Sequence, residues 1–378
     1  MSALFSKAAE SAKLSATLVG TVVGAGFISG AELVRFFPAE GFLPCLIVAA
    51  GLFALCFWGL YRLGAAHGGY AGALRALFGP LAGAVRAFVL ACSLVLCASM
   101  LAGLNAVAAE GFGLRTKFPA AALLALLPLS FFSRKGVRGL YIVNLALVPL
   151  ILAFLALFAP VLGQTPFVCP RDGFSALGGT VLYVGMNAFL AAPVVCDAGA
   201  KGGRGGAGCL LAAGLIGLCA AVVLGAVAAE GTNALRAEMP FLYAVARTQA
   251  LGLAFSAVSA CGIVTTLFSS YYPLHCAAGG RHARAKRAAA LAAAFALSLC
   301  GLRRIVRLVY PLIGGAGALF FALLAVRGVR SLAGAPDAPE IPAASALPGS
   351  LPGGARSLLH KKFFGQRHER VHAGGKDA

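Results

Sequence analysis

Residues Gly20 to Glu32 read GTVVGAGFISGAE, in the middle of the first long apolar stretch of the chain. Four glycines and a carboxylate within thirteen residues are a poor recipe for a helix in lipid. Glycine weakens the helix, and a buried charge is costly there. The segment is therefore predicted to be an interrupted helix. Irregular backbone at membrane depth persists only where it faces protein or a polar cavity. A break at Gly24, Ala25 and Gly26 frees carbonyls at the end of one half-helix, which attract a cation. It also frees amides at the start of the next, which attract an anion. A competing reading is close helix packing, because Gly20 and Gly24, and Gly26 and Gly30, have small-xxx-small spacing.

The rest of the chain decides what surrounds this segment. Of 378 residues, 60% are hydrophobic and 11% charged, and the mean hydropathy is +0.90. A soluble domain of this composition would expose a large apolar surface. Long apolar runs between short polar turns point to an all-α integral membrane protein rather than a barrel. Runs of spanning length fall at about residues 14–37, 43–62, 83–108, 118–132, 140–160, 174–196, 208–229, 248–274, 288–302 and 305–326, giving ten expected spans. Lys7 and Lys13 before the first run resemble a signal peptide, but the run continues past a short apolar core and is expected to be retained. The eleven cysteines form no CxxC pair. Most lie in apolar runs, which points away from disulfides and zinc.

The sixth run carries YVGMNAFLAAPVV (Tyr183 to Val195), with Gly185, Asn187 and a proline where a second break is expected. Five spans separate it from the first break, so the two halves, about 14–160 and 174–327, would enter the membrane from opposite sides as an inverted repeat. That organisation, with interrupted helices 1 and 6, belongs to secondary transporters. A net charge of +19 would suggest nucleic acid in a soluble chain. Here the basic residues collect in alternate loops: Arg62 and Arg75; Arg134, Lys135 and Arg138; Lys201 and Arg204; Arg281, Arg284, Lys286 and Arg287. The positive-inside rule then places both termini in the cytoplasm and the protein in the cell membrane, with no nucleic-acid partner. Arg303, Arg304 and Arg307 are exceptions to the pattern. A transport domain over 1–330 is followed by a Pro- and Gly-rich tail, 331–378, expected to be flexible. Its basic and aromatic end, LLHKKFFGQRHERVH, is either solvated or laid on anionic lipid.

The stretches LVGTVVGAGFISGAELVRFF, VLYVGMNAF, AEMPFLYAVA and GIVTTLFSSYYPL resemble the YkvI-type membrane proteins, a family placed in the amino acid-polyamine-organocation superfamily. The resemblance covers residues 10–327. It implies a LeuT-type five-plus-five fold, with a small-molecule solute held between the first and sixth spans and their neighbours in the third and eighth. It also implies a sodium site in which Gly20 and Val23 of the first break face Gly262, Thr265 and Thr266 of the eighth span. Five neutral oxygens can replace the hydration of a hard cation. A second sodium site is not implied, because Phe27 stands where an amide side chain is needed. Back-bonding of the Thr265 and Thr266 hydroxyls to their own helix is the competing reading.

Glu32 is the carboxylate placed well inside a predicted span, whereas Glu110, Asp197 and Glu230 stand at span ends. It is a candidate for proton coupling or for contact with an amine, and pairing with Arg35 one turn away is its structural alternative. Asn187 either hydrogen-bonds solute or caps the half-helix. His67, before a short amphipathic segment, is a solvated loop residue or a proton relay. The substrate-binding set is thus Gly24, Ala25, Gly26, Glu32, Gly185 and Asn187. The expected activity is secondary transport of an amino acid or related amine, coupled to sodium or to protons, and a non-transporting nutrient sensor is the alternative. An enzyme is not expected: there is no HExxH, and no Ser/His or paired-acid set falls within the spans.

Overall fold

The computed structural model describes residues 2–114, 119–201, 206–237, 239–300 and 313–323. The tail expected over 331–378 and the Arg303, Arg304 and Arg307 cluster lie outside the described residues. The described residues form helices throughout. In chain order these begin with α1 (Ser2–Val22), α2 (Ala25–Ile28), α3 (Ala31–Phe36), α4 (Phe42–His67) and α5 (Tyr70–Phe78). There follow α6 (Ala82–Ala106), α7 (Ala120–Ser133), α8 (Val137–Ala156), α9 (Gly173–Ala200) and α10 (Ala207–Ala229). Two short helices, α11 (Thr232–Arg236) and α12 (Pro240–Val245), precede α13 (Gln249–Ala277), α14 (Ala283–Ser298) and α15 (Ile313–Leu323). Among these, six are long and apolar enough to cross a membrane, and α7 and α15 are shorter apolar helices. This is an all-helical, multi-pass membrane protein.

The first apolar run is broken where its glycines lie. The amide of Gly24 turns back to Val22 O at 2.9 Å instead of continuing the helix, and α2 restarts with Ile28 N–H donating to Gly24 O at 2.9 Å. A second turn follows at Gly30, whose φ of 81° is a left-handed conformation suited to glycine. There the Phe241 amide, on α12, donates to Ser29 O at 2.8 Å, so the broken segment is tied to the helix lying over it.

The sixth run departs from its expected form. α9 is one continuous helix from Gly173 to Ala200 with Pro193 inside it. The residues expected to break it have other partners. A Cβ on Gly185 would come within 3.0 Å of Ala318 N, and one on Gly317 within 2.3 Å of Gly185 O. The glycine step therefore lets α9 and α15 approach backbone to backbone, which is the packing use of small residues. Asn187 Nδ2 donates to Tyr183 O, one turn back, at 3.0 Å, a bond made within an intact helix. The N-terminus of α9 is capped by Asp172, whose side chain accepts from the Ser175 amide at 3.1 Å.

Glycines also set the other close crossings. A Cβ on Gly64 would meet Cys196 O at 2.1 Å and one on Gly199 would meet Tyr61 O at 2.1 Å, so α4 and α9 touch reciprocally at one end of the bundle. In the same region α5 buries Tyr70, Ala73, Leu74 and Leu77, the i, i+3, i+4, i+7 face of an amphipathic helix. His67 ends α4 and is exposed.

Asp197 fastens this end. Its Oδ1 accepts the Tyr70 amide at 2.8 Å, and its Oδ2 accepts the Tyr272 hydroxyl at 2.8 Å. One carboxylate thus joins α5, α9 and α13. Hydrogen bonds to a charged acceptor contribute about 1.5–3 kcal/mol. Asp197→Ala should lower the melting temperature in detergent by several degrees, and Tyr272→Phe, which removes one of the two bonds, by less. Equal melting of all three proteins would show that the tie carries no stability.

Candidate functional site

Around the first-helix break, α1, α3, α6, α9 and α13 surround a small cavity. Its polar lining is Thr21, Gly24, Glu32, Asn187 and Thr266; its apolar lining is Val22, Leu96, Met100, Met186 and Leu190. The sequence reading thus places Gly24, Glu32 and Asn187 at one cavity. Gly26 lies beside it under the Glu32 carboxylate: a Cβ at Gly26 would come within 2.0 Å of Glu32 Oε1. Ala25 begins α2. Gly185 does not line the cavity, because it faces α15, and its neighbour Met186 takes the lining position.

Glu32 and Arg35 face different spaces. Arg35 lines a large open cleft with Glu40, Arg171 and Asp172. Between that cleft and the cavity stands an aromatic layer. Tyr183 packs at ring-centroid distances of 5.7 Å from Phe36, 5.2 Å from Phe37 and 6.1 Å from Phe53. Phe36 is one helical turn beyond Glu32, and Tyr183 one turn before Asn187, so the layer closes directly over the cavity. On the other side, Asp197 stands ten residues along α9 from Asn187, about 15 Å at 1.5 Å per residue. The cavity lies between two closures.

The candidate sodium ligands stand where α1 ends against α13. Turning Gly24 N–H to Val22 removes the helical donor from Gly20 O, and Thr266 Oγ1 donates to that oxygen at 3.1 Å. Val23 O is beside Gly262, within 3.0 Å of where a Cβ would stand. Thr265 Oγ1 donates to Gly262 O at 2.9 Å within its own helix. The two threonines therefore differ: Thr266 reaches across to α1, whereas Thr265 makes the back-bond. Further hydroxyls continue along the seam, with Thr21 and Ser269 Oγ atoms 2.8 Å apart.

Two groups of lining or neighbouring residues escaped the sequence reading. Leu96 and Met100 carry no motif and read as ordinary span residues, and Met186 and Leu190 lie within the YVGMNAFLAAPVV stretch without a role of their own in it. Asn144, on α8, is buried; its Nδ2 donates to Leu140 O at 2.9 Å. Its Oδ1 has no hydrogen-bond partner among the described residues and lies against Gly20, where a Cβ would come within 1.8 Å. The signal was present: an amide inside the apolar run YIVNLALVPL is itself notable.

No model of a known protein family matches the chain. It is 33% identical over 153 residues to the uncharacterized membrane protein YkvI of Bacillus subtilis (strain 168), a match covering 38% of this chain and 43% of that protein. The match thus spans less than half the length of that relative. In structure the chain is similar to MhsT in complex with L-phenylalanine, with a TM-score of 0.63 at 14% identity over 83% of this chain and 88% of that one. The chain is similar to YkvI over part of its length, and its fold is LeuT-like. A manganese transporter of Eremococcus coleocola aligns at TM-score 0.50 and 14% identity, over 86% of this chain and 77% of that one. Identities this low establish a shared fold and nothing about role or cargo.

Proposed function

We propose that the chain is a secondary active transporter that moves a small organic solute, an amino acid or related amine, by sodium-coupled alternating access. The observation that carries this reading is the broken first helix opening onto a cavity closed at both ends, by the aromatic layer on one side and the Asp197 tie on the other. Alternating access requires a central site from which either closure can be released in turn. The likeness to MhsT, a protein described with a bound amino acid, supports an organic solute. Manganese is the cargo named for the Eremococcus coleocola transporter.

In this proposal ten spans form two inverted groups of five, with both termini cytoplasmic and the protein in the cell membrane. Sodium sits among Gly20, Val23, Gly262, Thr265 and Thr266, and solute meets Gly24, Gly26, Glu32 and Asn187. The test is uptake by proteoliposomes of labelled amino acids, amines and manganese, each with a sodium gradient, a proton gradient or neither. Sodium-driven accumulation of an organic solute is expected. Binding without flux would make the protein a sensor, and accumulation of manganese alone would overturn the organic solute.

A further inference from the structure

Asn144 carries an acceptor with nothing to accept. It lies within α8 and is fully buried. Its Nδ2 donates to Leu140 O, one turn back, at 2.9 Å. That bond fixes the amide, because turning it over would set Oδ1 against a carbonyl oxygen. Oδ1 therefore points across to α1, where no donor among the described residues meets it. A buried acceptor in that state is costly, and an apolar residue at this place in the span would avoid the cost.

The oxygen is aimed at Gly20. A Cβ there would stand 1.8 Å from Asn144 Oδ1 and 3.0 Å from Val148 Cγ2, so the missing side chain is the cradle into which the amide fits. Standard bond lengths then put Oδ1 within about 3.3 Å of Gly20 Cα and about 6 Å of Gly20 O. Gly20 O is the carbonyl released by the break. It accepts from Thr266 Oγ1 at 3.1 Å and keeps a second lone pair. Oxygens on opposite sides of one hard cation stand about 5 Å apart, so an ion on Gly20 O needs a shift of about 1 Å or less to meet Oδ1 as well.

The helices converge at this point, since α1, α8 and α13 pack pairwise. On the α13 side, Thr265 Oγ1 and Gly262 O are engaged with each other at 2.9 Å. The Asn144 oxygen is engaged with nothing, and asparagine carbonyls are ordinary ligands of hard cations.

We propose that Asn144 is a ligand of the coupling ion, with α8 supplying its amide oxygen to the cation held by Gly20 O and Thr266. This rests on the reading of the α1–α13 seam as a sodium site. It goes beyond that reading by adding a third helix to the site. The competing role is helix packing, in which a Gly20 Cα–H is all that Oδ1 meets.

Sodium chloride titrated against potassium chloride at constant total salt, with melting of the purified full chain as the readout, measures sodium affinity apart from baseline stability. Asn144→Ala should weaken that affinity at least tenfold. Asn144→Thr should lose as much, because its hydroxyl bonds back to Leu140 O, which keeps a local hydrogen bond and withdraws the oxygen from Gly20. Asn144→Asp, which keeps an oxygen in place, should bind sodium at least as tightly as wild type. The control is Asn105→Ala, which removes a different amide, one that accepts the Ala122 N–H at 3.0 Å, and should leave sodium affinity unchanged. Wild-type affinity in Asn144→Ala or Asn144→Thr, with loss in Thr266→Ala, would overturn the ligand and leave the seam a sodium site. An equal loss in Asn105→Ala would overturn it as general loosening of the bundle. A wild type that sodium stabilises no more than potassium does would remove the sodium reading and the ligand together.

Discussion

Gly24→Leu is expected to abolish solute binding while leaving insertion of the protein intact, and Gly26→Leu is expected to do the same by a different route. At Gly24 even a Cβ would stand 2.7 Å from Thr266 Oγ1 and 3.3 Å from Thr266 Cβ and Cγ2, so a branched side chain must occupy the cavity or push α13 away. At Gly26 the obstacle is the Glu32 carboxylate, 2.0 Å from the Cβ position, which would have to leave the cavity wall. Overpacking of this kind costs about 1–3 kcal/mol at a minimum, equivalent to roughly one to two decades in affinity, and a filled cavity loses more. The matched control is Gly51→Leu on α4, where a Cβ would meet nothing within 4 Å. Measured by ligand-dependent melting of purified protein, the control should behave as wild type and both break variants should lose the response. Retained affinity in Gly24→Leu and Gly26→Leu would separate the break from the solute site.

How far the sequence reveals this arrangement depends on whether each signal is local. The interruption of the first helix is legible because Gly24, Gly26 and Gly30 fall within one apolar run, and the local energetics of glycine suffice to end a helix there. The same reasoning applied to Gly185 and Pro193 predicted a break that α9 does not have. The reason is tertiary: Gly185 is used by α15, a helix more than a hundred residues later, and no local rule distinguishes a glycine that packs from one that breaks. Glu32 was legible as an intramembrane acid, but its separation from Arg35 was not. Although three residues apart, they line different spaces because α3 is only six residues long and stands between the cavity and the cleft. Asp197 read as a span-end residue, and its two bonds could be found only once α5 and α13 were brought to the same place.

The sodium site yields the second large effect. Thr266→Ala should weaken sodium binding by about one to two decades, since a ligand or hydrogen bond to a charged partner is worth roughly 1.5–3 kcal/mol. Thr266→Ser should retain it. Thr265→Ala should show a comparable loss if its hydroxyl turns from Gly262 O to the ion. If that hydroxyl only bonds back to its own helix, the loss should be small. Thr266→Ala carries a second consequence independent of sodium. Gly20 O would lose the partner it has at 3.1 Å, and a buried carbonyl without a partner costs about 1–3 kcal/mol, so the variant should also melt earlier in potassium. The informative quantity is therefore the difference between melting in sodium and in potassium, compared across wild type, the alanine variants and the serine variants. A Thr266→Ala protein that melts earlier in both salts but keeps the full sodium increment would show that the hydroxyl serves the α1–α13 contact and not the ion. If wild type shows no sodium increment, the seam at Gly20 and Thr266 is a helix contact alone. Coupling then passes to Glu32, the carboxylate in the cavity lining, where a proton is the ion that a single carboxylate can take up and release.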